Sequence, residues 1–198
     1  MSRARAMLAM IAAAVVLGGA SAWAQSPPAA PPLPNISRPD NLQPGDAFGE
    51  EVTLQEKTIV YFSGSGMWDN AFETIVDGFK TVVAFLQKQG IKPSGLPMTI
   101  YTATSDSSFQ FQAAVPVTEP PKDPPQGEIA VGRSPTGKAY KFIHRGSYDA
   151  MDTTYDAITN FLDEKRIDAK ELFIEQYVTD PVTTPEENLV VEVYVPVK

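Results

Sequence analysis

Cysteine is absent from this 198-residue chain, so neither a disulfide nor a thiolate nucleophile nor a cysteine-held metal enters its fold or chemistry. Histidine occurs once, at His144, too few for the imidazole sets of zinc sites, and no metal or cofactor is expected. Basic side chains are scarce as well: 16 Lys and Arg stand against 24 Asp and Glu, a net charge of −8. Nucleic acid is therefore not an expected partner, since phosphate binding needs a basic footprint. Beyond Met7 to Ala20 no apolar run approaches membrane length, and no stable membrane insertion is expected of the rest.

That one run has the marks of an export signal. Arg3 and Arg5 precede it, and Ala22-Trp23-Ala24 supplies the small-x-small pattern of a cleavage site, with residues 1–24 read as signal peptide and Gln25 as the new N-terminus. Its 14 residues are short for an uncleaved anchor, the competing reading. A periplasmic or secreted location follows as an expectation. Residues 25–48 read as a proline-rich linker, because proline fixes φ and lacks an N–H and so favours an extended spacer; a docking ligand for another protein is the alternative.

The whole chain is 43% hydrophobic, and the remainder, 49–198, can hold one domain with a real core. Thr53 to Ser63 reads as a strand and Gly64-Ser65-Gly66 as a turn. Trp68, Ala71, Phe72, Ile75, Phe79, Val82, Val83 and Leu86 then recur at helical spacing up to Gly90, which predicts an amphipathic helix. Strands are expected over 98–102 and 109–117. The series repeats: strand material with a turn over 129–145, a helix with Tyr148, Met151, Tyr155, Ile158, Phe161 and Leu162 on one face, then strands over 172–179 and 189–197.

Gly66-Met67-Trp68-Asp69 lies 80 residues before Gly146-Ser147-Tyr148-Asp149, and Val115-Pro116-Val117 lies 80 before Val195-Pro196-Val197. Such a register implies an internal duplication of a strand-helix-strand-strand (SHS2) module. The expected fold is α+β: a mostly antiparallel sheet, two main helices, and a cleft between the halves, where ligand sites favour forming.

The strand at 172–179 carries the candidate site. Alternation puts Phe173, Glu175 and Tyr177 on one face, a carboxylate between two aromatics. On a solvated face Glu175 is an ordinary surface charge; on a cavity wall the trio would favour a cation or a hydrogen-bond donor. Aligned on its tyrosine, the first module has Thr99 and Tyr101 at these places, so the carboxylate belongs to one copy only. Trp68, Tyr148, Phe142 and Tyr61 are further cleft candidates, core packing being the alternative for each. Ser63-Gly64-Ser65-Gly66 matches neither a nucleophile elbow nor a phosphate loop.

Gly146-Ser147-Tyr148-Asp149, Tyr155, Phe161-Leu162, Glu175-x-Tyr177 before Asp180-Pro181, and Glu192-x-Tyr194-x-Pro196-Val197 together resemble the GyrI-like effector-binding domains, found on AraC-type and multidrug-sensing transcription regulators and also alone. The resemblance covers Glu51 to Lys198. It implies an aromatic cleft in which a glutamate matching Glu175 faces lipophilic, often cationic, small molecules. Some members are hydrolases of reactive lipophilic compounds, for which Glu175, Tyr177 and Tyr148 would be the catalytic set. The segment ahead reads as leader and spacer rather than helix-turn-helix, so the regulator role is not implied. SOUL-type haem proteins have a related fold, which leaves a haem contact as the alternative to a structural role for His144.

Overall fold

The computed structural model describes residues 42–123 and 125–198; the expected signal peptide and most of the proline segment lie outside them. Eight strands form one sheet, and all its neighbours pair antiparallel. In chain order these are β1 (Phe48–Leu54), β2 (Thr58–Met67), β3 (Met98–Thr104), β4 (Ser108–Pro116), β5 (Ile129–Arg133), β6 (Gly137–Arg145), β7 (Ile174–Tyr177) and β8 (Val190–Pro196). Helix α1 (Ala71–Gln89) follows β2 and helix α2 (Met151–Lys165) follows β6, each entered through a 3-10 turn, at Trp68–Asn70 and Tyr148–Ala150.

Helix α1 forms where the apolar spacing demands it: Ala71, Ile75, Phe79, Val82 and Leu86 are buried. It stops at Gly90, whose φ of 67° lets its N–H turn back to Gln87 and Leu86, a closure that suits glycine. Helix α2 buries Met151, Thr154, Ala157, Ile158 and Leu162. Both helices pack on one face of the sheet, where a continuous core runs from Val60, Phe79 and Phe111 to Phe142, Ile158 and Val193.

Strand order is β1-β6-β8-β7-β3-β4-β2-β5. Outward from the centre, β3-β4-β2 of the first half mirrors β7-β8-β6 of the second, and each half receives its edge strand from the other's connecting segment: β5 lies on β2, and β1 on β6. In the central pair, Met98 faces Gln176, Thr99 faces Glu175 and Ile100 faces Ile174. Residues 76 positions apart are counterparts here, so Thr99 pairs with its own counterpart Glu175. The approximate two-fold axis of the duplication therefore passes between these two residues.

Three expectations need correction. The strand expected over 53–63 is two strands, parted at Gln55–Lys57 and laid beside different partners; both halves are rich in strand formers, so composition did not show the break. Gly64-Ser65-Gly66 is not a turn, because β2 runs on to Met67 paired with β4. The glycines answer a packing demand instead: a Cβ on Gly64 would stand 2.7 Å from the Phe62 ring and 2.9 Å from Phe111. Finally, the ordered fold starts before residue 49, since β1 begins at Phe48, Ala47 accepts from the Ile143 N–H, and Asp46 forms a two-bonded ion pair with Arg145 at 2.7 and 2.8 Å.

The glycine packing is testable. Gly64→Ala should lower unfolding free energy by about 1–3 kcal/mol, the usual cost of overpacking, while Ser65→Ala on the exposed neighbour should stay within about 0.5 kcal/mol. Urea denaturation of both variants decides it, and equal stability would remove the steric account.

Candidate functional site

Strand β7 points Glu175 and Tyr177 at the helix face of the sheet and Ile174 at the other. Glu175 is 0% exposed. Among the described residues no cation pairs with it; four tyrosine hydroxyls do. Tyr155 of α2 donates to Oε1 at 2.8 Å and Tyr101 of β3 at 3.1 Å. Tyr177 donates to Oε2 at 2.9 Å, and Tyr148, from the 3-10 turn before α2, reaches both oxygens at 2.9 and 3.2 Å. Tyr101 and Tyr148 also touch, hydroxyl to hydroxyl, at 2.7 Å. Across the axis the arrangement repeats without charge, with the Tyr177 hydroxyl 3.4 Å from Thr99 Oγ1.

Above this quartet opens a cleft of about 740 Å³. Trp68, Phe72, Tyr101, Tyr148, Tyr155 and Phe173 supply its aromatic surface. The Phe72 and Tyr148 rings stack at 5.0 Å, Trp68 lies 4.6 Å from Phe109, and the Trp68 indole N–H donates to the Ser105 carbonyl at 2.9 Å. Asp69, Glu73, Asp106, Asp149, Asp152 and Glu186 also line it, and among the described residues no Lys, Arg or His does. Its two sides are the starts of the two helices, counterparts under the duplication.

The sequence profile of the GyrI-like small molecule binding domain matches residues 50–198. The chain belongs to this family. Among solved structures the fold is similar to that of EcmrR in its DNA complex (TM-score 0.65, 14% identity), with 76% of this chain and 57% of EcmrR covered; this chain thus spans a little over half of that protein. It is also similar to a hydrolase encoded by lin2189 from Listeria innocua (TM-score 0.56, 12% identity, 77% and 93% covered) and to SAV2435 bound to tetraphenylphosphonium (TM-score 0.54, 14% identity, 76% and 94% covered). At such identities the likeness is one of fold. No curated protein matches the sequence significantly.

Within this GyrI-like domain the expected site residues separate into three groups. Trp68, Tyr148 and Phe173 line the cleft. Glu175 and Tyr177 lie beneath its floor, both 0% exposed. Phe142 and Tyr61 are not brought to it: Phe142 is buried against Phe48 and Phe161 at 5.1 and 5.4 Å, and Tyr61 packs on the opposite face of the sheet beside Ile59, Met98 and Ile174. Tyr61 is odd-numbered in a strand whose even positions face the helices, which its alternation with the buried Val60 already encoded. Sequence reasoning missed Tyr101, Phe72 and the role of Tyr155. Tyr101 had a signal, as the counterpart of Tyr177; Tyr155 looked like one more apolar position of a helix.

His144 is structural. Its Nε2–H donates to the Ser147 carbonyl at 3.1 Å, which leaves Nδ1 to accept from the Thr154 hydroxyl at 2.8 Å. Burial holds its pKa below the usual value, so the ring is a neutral latch between β6 and the start of α2.

Burial pushes the Glu175 carboxyl above the ordinary carboxylate range, and the hydroxyls of Tyr155, Tyr177, Tyr148 and Tyr101 pull it only part of the way back. Burial first, and the Glu175 charge next, hold all four tyrosines well above their usual value, so they remain donors. The consequence for stability has a definite sign. In the window between the unfolded carboxyl's ordinary value and its raised folded one, the unfolded chain loses its proton first, so stability falls as pH rises. Tyr177→Phe removes one donor and should steepen that fall, costing about 1–3 kcal/mol above the window and less below it, where the carboxyl is protonated in both states. Urea titrations across pH test this; a pH-independent loss would mean that Tyr177 contributes packing alone.

Proposed function

We propose that this domain binds amphipathic small molecules carrying a positive charge, with their apolar part on the cleft aromatics and their charge held over Glu175. One observation carries the reading: a carboxyl group that has no cationic partner among the described residues lies one hydroxyl layer beneath an aromatic surface lined by six acidic side chains and, among those residues, by no basic one. Aromatic faces attract cations through their quadrupole. A unit charge at ~6 Å from a buried carboxylate gains about 2–3 kcal/mol at an effective dielectric near 20. The tetraphenylphosphonium bound by SAV2435 is a ligand of this kind and supports the reading by analogy of fold.

Hydrolysis is the second reading, suggested by the lin2189 hydrolase. The geometry favours it less, because Glu175 has no exposed surface and a water activated by it would have to be relayed through Tyr148 or Tyr155. We further propose that the domain works after export, on the strength of Arg3, Arg5, the apolar run and Ala22-Trp23-Ala24. Intact mass of protein from its native host should then correspond to a chain starting at Gln25; an unprocessed cytoplasmic chain would refute export.

The charge reading is tested by calorimetry with tetraphenylphosphonium and neutral triphenylphosphine oxide. Glu175→Gln should weaken the cation by roughly five- to a hundredfold and leave the neutral compound nearly unchanged. Equal losses for both would make Glu175 a packing residue, and unaltered binding of both would make it a bystander.

A further inference from the structure

Glu175 has an unusual set of neighbours for a buried acid. From β3 it is faced by Thr99 and Tyr101, from α2 by Tyr155, from the turn before α2 by Tyr148, and on its own strand by Tyr177; its partner on β8 is Val193. Helix α1 contributes Phe79 against Tyr177 and Phe72 against Tyr148. Thus every titratable group around it is a tyrosine, and each of the four can donate or accept through the same hydroxyl. The chain's single histidine is bonded elsewhere.

Resting on the cation-binding reading above, we propose that the cleft is a proton-for-cation exchanger: Glu175 holds a proton while the cleft is empty and releases it to solvent when a cation binds. The step balances simply. A neutral carboxylic acid and a free cation become a carboxylate beside a bound cation, with one proton leaving to bulk water and no other bond made or broken.

Three structural features carry this. First, nothing but neutral donors faces the carboxyl, so an empty cleft provides no charge to offset the desolvation of its ionised form; the raised value of its pKa agrees. A cation over the floor supplies that charge, and by linkage any ligand that favours the ionised form is itself favoured by ionisation. Second, both protonation states can be satisfied in place. In the ionised form Tyr155, Tyr177 and one of Tyr101 and Tyr148 donate to the carboxylate, and the other donates across their 2.7 Å contact; in the neutral form the carboxyl donates to Tyr148, Tyr148 to Tyr101, and Tyr101 back to Oε1. Third, there is an exit. Tyr101, Tyr148 and Tyr155 touch the carboxylate on one side and line the cleft on the other, so a proton can leave by hydroxyl reorientation without any opening of the core.

The exchange makes a cargo rule. Between the midpoint of Glu175 with a cation bound and its higher midpoint in the empty cleft, the affinity for a cation of fixed charge rises up to about tenfold per pH unit, whereas a neutral ligand shows no such slope. A fall in pH thus unloads the site.

Calorimetry of tetraphenylphosphonium binding to the wild-type chain, in buffers of different ionisation enthalpy and over pH 4 to 8, reads the proton count directly. Between zero and one proton should be released per cation, most at a pH between the midpoints of the cation-bound and the empty protein and less on either side, with none for triphenylphosphine oxide. Glu175→Gln should abolish the release while weaker cation binding persists. Release that survives in Glu175→Gln would assign the proton to the acidic rim and overturn the proposal. Should that variant not fold, infrared spectroscopy of the wild type takes its place: the carbonyl band of a protonated carboxyl, present in the empty protein at acid pH, should vanish on adding the cation, and its persistence would overturn the exchange. Cation binding without proton release also overturns it and leaves the binding reading intact; no cation binding at any pH overturns both.

Discussion

A carboxylate buried with no cation beside it is the constraint to which the rest of this domain answers. Removing such a group from water costs several kcal/mol unless hydrogen bonds replace its hydration, and here four tyrosine hydroxyls do so. They come from β3, the turn before α2, α2 itself and β7. No single element could gather them. The tertiary fold must bring two strands from different halves and one helix start to within a few ångströms. The quartet offsets the burial without cancelling it, since the carboxyl stays above its ordinary value despite the four hydroxyls.

Duplication explains how such a site arises. A two-fold axis through the centre of a sheet places counterpart residues opposite each other, so any side chain on the axis appears beside its own copy. Two glutamates there would be like charges a few ångströms apart, which disfavours ionisation of both. The chain has one: Thr99 stands opposite Glu175, and Tyr177 meets Thr99 as Tyr101 meets Glu175. Symmetry supplies the aromatic frame, and a single asymmetric residue supplies the charge. Similar reasoning holds at the helix starts, where Trp68 and Tyr148 are counterparts but only Tyr148 reaches the carboxylate.

Much of this was legible in the residue order. The 80-residue register at both ends of the repeat, the helical spacing of Ala71 to Leu86, and the alternation of Phe173, Glu175 and Tyr177 each reflect a local physical rule, and each locates an element or a face in the structure. What escaped the sequence was global. The strand break at Gln55–Lys57 sends β1 to the far edge of the sheet, a choice made by the second half of the chain rather than by local propensity. Gly64-Ser65-Gly66 has the composition of a turn, yet Gly64 makes room for Phe62 and Phe111 and Gly66 for Phe109, and two of these three rings come from β4, more than 40 residues on in the sequence. Likewise, alternation could show that Glu175 and Tyr177 share a face, but not that a screen of tyrosines from other elements lies between that face and the cleft.

That screen also decides which negative charges matter. Six acidic side chains line the cleft, but Asp69, Glu73, Asp149 and Asp152 sit at the starts of the helices, where they face the positive ends of the helix dipoles, each end equivalent to roughly half a charge. Part of their field is therefore spent locally. Because they are also in contact with water, what remains is screened over about 8–10 Å at ordinary salt, and an exposed ion pair contributes only about 0–1 kcal/mol. Glu175 is a single group, yet it is fully buried and, among the described residues, has no counter-ion, so its field toward the aromatic floor, once it is ionised, is the less screened one. On the proposed reading, the rim would govern how often a cation arrives, an effect on encounter rate that salt suppresses, and the buried carboxylate how long it stays.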